Sequence, residues 1–182
     1  MSQIRESSLF ERADHLEMRL CILLNNTSQR TFIRLFFLAI SRLGDGIFWY
    51  TLAAFLLYLQ GKQGIVEVTH ILITGLLVFA TYKFLKTKLV RERPFISFEN
   101  IQQAAPALDR YSFPSGHTMH AFSFAILFSY YLPELSAAVW GFASLVAMSR
   151  VILGLHYPTD VAAGALLGSS MALLSLLMMT TL

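Results

Sequence analysis

Residues 111–182 read YSFPSGHTMHAFSFAILFSYYLPELSAAVWGFASLVAMSRVILGLHYPTDVAAGALLGSSMALLSLLMMTTL, and Glu134, Arg150 and Asp160 are their only Asp, Glu, Lys or Arg residues. A stretch this poor in charge cannot coat a surface against water, so it reads as membrane-spanning. Turn signals at Leu132-Pro133-Glu134 and before Pro158 divide it into apolar runs over 116–132, 135–153 and 158–177. Working toward the N-terminus, 65–85 is a further span, preceded by a turn at Gly61-Lys62-Gln63-Gly64. Residues 31–60 are apolar but interrupted at Gly44-Asp45-Gly46, which makes them one kinked helix or two short helices meeting there. Asp45 between two glycines reads as a helix or turn cap.

Residues 8–26 set Leu9, Phe10, Ala13, Leu16, Leu20, Leu23 and Leu24 at helical spacing against Glu11, Arg12, Asp14, Glu17 and Arg19. The pattern predicts an amphipathic helix that lies in the membrane interface or packs on the bundle, and the two are compatible. Residues 91–115 are polar, hold three of the five prolines and read as a loop. The expected fold is therefore all-α: a polytopic membrane helical bundle of about five transmembrane helices plus the N-terminal amphipathic helix. It forms a single domain over 1–182, with the bundle over 31–178.

Composition agrees. Of 182 residues, 55% are hydrophobic and 14% charged, against about a quarter charged in soluble domains. The mean hydropathy is +0.58. A net charge of +3 is mild and does not point to nucleic acid. Cys21 is the sole cysteine, which excludes an internal disulfide and a thiolate metal cluster. The polar stretch 1–17 has no apolar core of signal-peptide type, so no cleaved leader is expected.

Three runs carry chemistry: Lys86-x6-Arg93-Pro94, Pro114-Ser115-Gly116-His117, and Ser149-Arg150-x5-His156-x3-Asp160. Each sits at the end of an apolar run, and antiparallel connection brings all of them to one membrane face. A phosphate ester carries nearly two negative charges, and phosphoryl transfer spreads charge over equatorial oxygens. Lys86, Arg93 and Arg150 supply positioned cations, and Gly116 with the helix N-terminus after Ser115 supplies backbone N–H groups. Asp160 would accept a hydrogen bond from one ring nitrogen of His156 and leave the other free to attack phosphorus. His117 would protonate the leaving oxygen and later take a proton from water. The cations do the charge work, so no metal or other cofactor is expected. His117-x2-His120 mimics metal-ligand spacing but lacks a third ligand. His70 reads as an interfacial or packed residue. Gly164-x3-Gly168 reads as a close helix contact, within the bundle or between two copies.

These runs resemble the type 2 phosphatidic acid phosphatase family, which shares its site with vanadium haloperoxidases and glucose-6-phosphatase. The resemblance covers roughly 31–178 and implies a helical bundle with metal-independent phosphatase activity. It implies His156 as nucleophile, Asp160 as its orienting partner and His117 as general acid, with Lys86, Arg93, Ser115, Gly116 and Arg150 holding the phosphate. The short chain and polar N-terminus look most like small bacterial members acting on undecaprenyl diphosphate or phosphatidylglycerophosphate. The expected partners are thus the lipid bilayer and a membrane lipid phosphate. Phosphatidate phosphatase, lipid A phosphatase or phosphotransferase, and a silent binder of phospholipid headgroups are the rival readings. By the same resemblance the protein sits in a bacterial inner membrane with its site facing the periplasm. The charge bias runs the other way, because Lys83, Lys88, Arg91 and Arg110 lie on the site face and Lys62 on the opposite one. The loop over 95–112, with Phe95, Phe98 and Tyr111, stands where it would gate headgroup entry.

Overall fold

The computed structural model describes residues 16–107 and 109–181. Among them α1 covers 16–27. It is followed by α2 (Thr31–Arg42), a π-turn (Leu43–Ile47), α3 (Phe48–Gln60), α4 (Lys62–Lys88), the short α5 (Pro94–Ser97), α6 (Gly116–Tyr131), a 3₁₀ turn (Pro133–Leu135), α7 (Ser136–Ile152) and α8 (Pro158–Thr181). Three of these are long and apolar enough to cross a membrane: Lys62–Lys88, Pro133–Ile152 and Pro158–Thr181. At 1.5 Å per residue, the 27 residues of α4 extend about 40 Å. The 16-residue α6 is shorter and lies at the centre, packed against α4, α7 and α8.

Residues 31–60 resolve as one path with a kink. The kink falls at Gly46, whose φ of 148° is open only to glycine. The bend turns α3 onto α4 and carries Trp49 and Leu56 into a core shared with Phe128, Val139, Phe142 and Val146. Phe48 stacks on Phe142 with ring centroids 3.9 Å apart. Large apolar side chains also face outward along the bundle, among them Leu72, Leu76, Leu166, Leu173 and Leu177, as lipid contact requires.

The described part of the amphipathic helix packs on the bundle by one face and leaves an apolar stripe on the other. Leu16, Leu20 and Leu23 form an exposed apolar stripe, whereas Glu17, Cys21 and Asn25 on the opposite face are buried. Asn25 anchors the helix: its Nδ2 donates to the carbonyls of Ile152 and Gln102, both at 3.0 Å, and its Oδ1 accepts from Gln102 N–H at 2.8 Å. Residues 8–15 of the expected helix lie outside the described residues.

Gly164 and Gly168 face α6 of the same chain. A Cβ at Gly168 would stand 2.1 Å from the Met119 carbonyl oxygen, and one at Gly164 would stand 2.7 Å from that of Ser115. The small-residue pair thus lets α8 close onto α6. Gly168→Ala is expected to force these backbones apart and destabilise the fold by about 1–3 kcal/mol. Thermal unfolding in detergent measures it; a melting temperature equal to wild type would show that the contact yields without cost.

Candidate active site

The C-terminal ends of α4 and α7 and the N-terminal ends of α6 and α8 meet at one end of the bundle. There Lys86, Arg93, Gly116, His117, Arg150 and His156 line a single cavity of about 460 Å³. The cavity runs on between the helices as an apolar groove past Phe79, Phe124, Leu76, Ile71, Phe128 and Val68. Six of the eight residues singled out from the sequence therefore share one surface. Ser115 and Asp160, the other two, are fully buried behind it.

The turn after α7 builds the setting of His156. Gly154, at φ 75°, reverses the chain, and the amides of Leu155 and His156 both return to the Arg150 carbonyl, at 3.0 and 3.1 Å. His156 is left 2% exposed. Its Nε2 lies 3.3 Å from Arg93 Nη1, which as an obligate donor makes Nε2 the acceptor and places the ring proton on Nδ1. Nδ1 faces Asp160 Oδ2 at 3.6 Å, beyond hydrogen-bond distance, and has no hydrogen-bond partner among the described residues. Burial, followed by the charges of Arg150, Arg93 and Lys86, pushes the imidazole well below its ordinary pKa. The ring is therefore neutral at neutral pH, with its lone pair on the cavity side.

Asp160 is fixed from two directions. Its Oδ2 accepts the Tyr157 N–H at 2.8 Å and its Oδ1 accepts Arg91 Nη1 at 2.9 Å. Its carbonyl accepts the Ser115 N–H at 3.1 Å, which ties the second motif to the third. The Ser115 hydroxyl pairs with Thr118 Oγ1 at 2.9 Å and does not cap α6. Gly116 is needed where it stands because a Cβ there would meet the Tyr82 ring at 2.9 Å.

Two carboxylates meet the site without any signal in the motifs. Asp45, expected as a cap, instead hydrogen-bonds His117 Nε2 across the kink. Asp109 bridges two of the phosphate-directed cations, at 2.9 Å from Lys86 Nζ and 2.9 Å from Arg93 Nη2. Arg93 Nε also donates to the Asp109 carbonyl at 2.8 Å. Burial alone would raise the Asp109 carboxyl, but the hydrogen bonds and charges of Lys86 and Arg93 outweigh it and hold the carboxyl below its ordinary pKa. Arg150 keeps a different partner, with Nη1 donating to Ser41 Oγ at 2.5 Å, and its Nε has no partner.

The loop over 95–112 meets the cavity-lining Lys86 and Arg93 through Asp109, and Phe95, Phe98 and Tyr111 do not line the cavity. Phe95 and Phe98 pack inward beside Ile101 and Tyr157. His120 Nδ1 pairs with the Gly116 carbonyl at 2.9 Å, so it and His117 are engaged separately. His70 meets the Tyr131 hydroxyl at 2.7 Å at the far end of the bundle.

Because Asp109 occupies cations that a phosphate would use, Asp109→Asn is expected to strengthen binding of vanadate. The gain should be about tenfold, the scale of a hydrogen bond to a charged group. Inhibition by vanadate measures it; weaker inhibition would mean that Asp109 supports the cations rather than competing for them.

Comparison with known proteins places this geometry. Residues 67–182 match the model of the PAP2 superfamily. A lipid A 1-phosphatase of Rhizobium etli is 32% identical over 155 residues, which cover 70% of this chain and 63% of that protein. An undecaprenyl-diphosphatase of Sulfolobus acidocaldarius is 32% identical over 142 residues, 75% of this chain and 66% of that one. The chain thus spans just under two thirds of the length of these curated relatives. The crystal structure of Aquifex aeolicus LpxE superposes with a TM-score of 0.76 at 30% identity, covering 88% of this chain and 94% of that one. A PAP2-type phosphatidylglycerolphosphate phosphatase from Bacillus subtilis shares the fold at a TM-score of 0.68 and 22% identity. By the match over 67–182, and by a bundle that gathers the three motifs around one cavity, this chain belongs to the PAP2 superfamily.

Proposed function

We propose that the protein is a metal-independent lipid phosphatase that works through a phosphohistidine, with undecaprenyl diphosphate as its substrate. The observation that carries the reading is the continuity of the cavity. The cations and both histidines lie at its mouth, and an apolar groove leads from them along α3, α4 and α6. Lys86, Arg93 and Arg150 hold the terminal phosphate, with the first amides of α6 beside them. His156 Nε2 attacks phosphorus, and the bond to the leaving oxygen breaks as His117 gives that oxygen its proton. The Nδ1 proton stays on the ring, held toward Asp160. Water then attacks the phosphohistidine, gives a proton to His117, and inorganic phosphate leaves with both histidines restored. Asp45, on the far side of the His117 ring, orients the acid.

The groove of about 460 Å³ is apolar beyond the cations, which suits a phosphate headgroup and the first part of a lipid chain. Lipid A dephosphorylation is the second reading, supported by the likeness to the Rhizobium protein and the Aquifex structure.

Purified protein in detergent with EDTA is expected to release phosphate from undecaprenyl diphosphate ahead of phosphatidylglycerophosphate, phosphatidate and lipid A, and His156→Ala to abolish release while remaining folded. Activity surviving in His156→Ala would refute the nucleophile, and loss of activity in EDTA restored by a divalent ion would refute the metal-free route. A preference for lipid A would select the second reading.

We infer that the site faces the periplasm from a bacterial inner membrane. Part of the opposing charge bias is answered by pairing, since Arg91 is bound to Glu17 and Asp160, and Arg110 to Glu92. Because α8 starts at the site and runs 24 residues away from it, the C-terminus falls on the other side of the membrane. A reporter fused at Leu182 is expected to behave as cytoplasmic; an exported reporter would reverse the orientation.

A further inference from the structure

Arg91 sits in a spacer position of the first motif and does not line the phosphate cavity. Its guanidinium is committed elsewhere. Nη1 donates to Asp160 Oδ1 at 2.9 Å and to Thr159 Oγ1 at 2.7 Å, and Nη2 donates to Glu17 Oε2 at 2.6 Å. Its plane lies 3.8 Å above the ring of Tyr157, the residue next to the nucleophile. Glu17 Oε1 accepts the Thr159 N–H at 2.9 Å and pairs with the Thr159 hydroxyl. The Glu17 side chain is 9% exposed and that of Asp160 fully buried. A hydrogen-bonded row therefore runs from α1 through Glu17, Arg91 and Asp160 toward His156.

A carboxylate is free to turn about its terminal bond, and only one orientation offers an oxygen to His156 Nδ1. Arg91 on Oδ1 and the Tyr157 N–H on Oδ2 fix that orientation. Arg91 would swing without a second anchor, and Glu17 provides it. Asn25 in turn locks α1 to the backbone of Ile152 and Gln102, on either side of the same site.

We propose that Arg91 and Glu17 are positioning residues for the nucleophile, so that the N-terminal helix, which lies outside the segment matched to the family, sets the orientation of His156 through Asp160. The inference rests on the reading of His156 as nucleophile. It predicts that losing the row slows chemistry and leaves phosphate binding intact.

The test measures kcat, KM and vanadate inhibition on the most active lipid for wild type, Arg91→Gln, Arg91→Lys and Glu17→Gln, with His156→Ala alongside. Arg91→Gln is expected to lower kcat by about 10²-fold, the scale of a misplaced catalytic group. KM and vanadate inhibition should stay at wild-type values. Glu17→Gln should lower kcat less, and the double variant should lose no more than Arg91→Gln alone, because both act through one carboxylate. Arg91→Lys keeps the charge but cannot fork between two carboxylates, so it should also lose kcat while preserving the fold if Arg91→Gln does not. Wild-type kcat in folded Arg91→Lys and Glu17→Gln would overturn the proposal. A parallel loss of vanadate inhibition would also overturn it, by making Arg91 a phosphate ligand. Activity in His156→Ala would instead overturn the reading of the nucleophile, whatever the Arg91 variants do.

Discussion

α8 lies against α6 so closely that glycine is required on α8 at both points of contact. A side chain at Gly168 would occupy the space of the Met119 carbonyl, and one at Gly164 that of Ser115. The approach allows the Asp160 carbonyl to take the Ser115 N–H at 3.1 Å, so the start of α6 and the start of α8 become one unit. His117 and His156 then face a common cavity from separate helices. A wider crossing would separate His117 from His156 while leaving every motif intact in the sequence.

The same closeness creates an electrostatic problem. Lys86, Arg93 and Arg150 are all nearly buried at one end of an apolar bundle. Burying a charge is costly unless it is paired, and like charges side by side raise that cost. Asp109 relieves it by bridging Lys86 and Arg93, while Arg150 hydrogen-bonds the hydroxyl of Ser41 and has no carboxylate within salt-bridge distance among the described residues. The site is thus held in a form suited to receive an anion. By the proposed reading, a phosphate entering it would replace a carboxylate at Lys86 and Arg93 and add a charged partner at Arg150. Such an exchange of one anion for another limits the desolvation that binding would otherwise require.

On the Asp160 side the logic is reversed, because the charge to be controlled is negative. Asp160 is fully buried and Glu17 nearly so, and Arg91 serves both. Its stacking on Tyr157 ties that pairing to the turn that presents His156. The histidines and cations of the cavity are therefore kept in register by carboxylates outside the three motifs and by an arginine in a spacer position of the first.

Long apolar spans and one candidate catalytic set could both be read from the linear sequence. A bilayer demands long uncharged runs, and phosphoryl transfer to histidine demands particular residue types at particular spacings, so both leave a linear mark. Lys86, Arg93, His117, Arg150, His156 and Asp160 were legible for that reason, as was their meeting at one end of the bundle. Asp45, Asp109, Glu17 and Arg91 were not. Asp45 reaches a partner 72 positions away and Glu17 one that is 74 away, and an isolated carboxylate or a spacer arginine carries no periodicity that marks its partner. Ser115 reads as a phosphate ligand from its motif, yet its hydroxyl turns to Thr118. Only the tertiary structure decided those contacts, because a charge selects its partner by distance and burial, and both quantities exist only once the helices have packed.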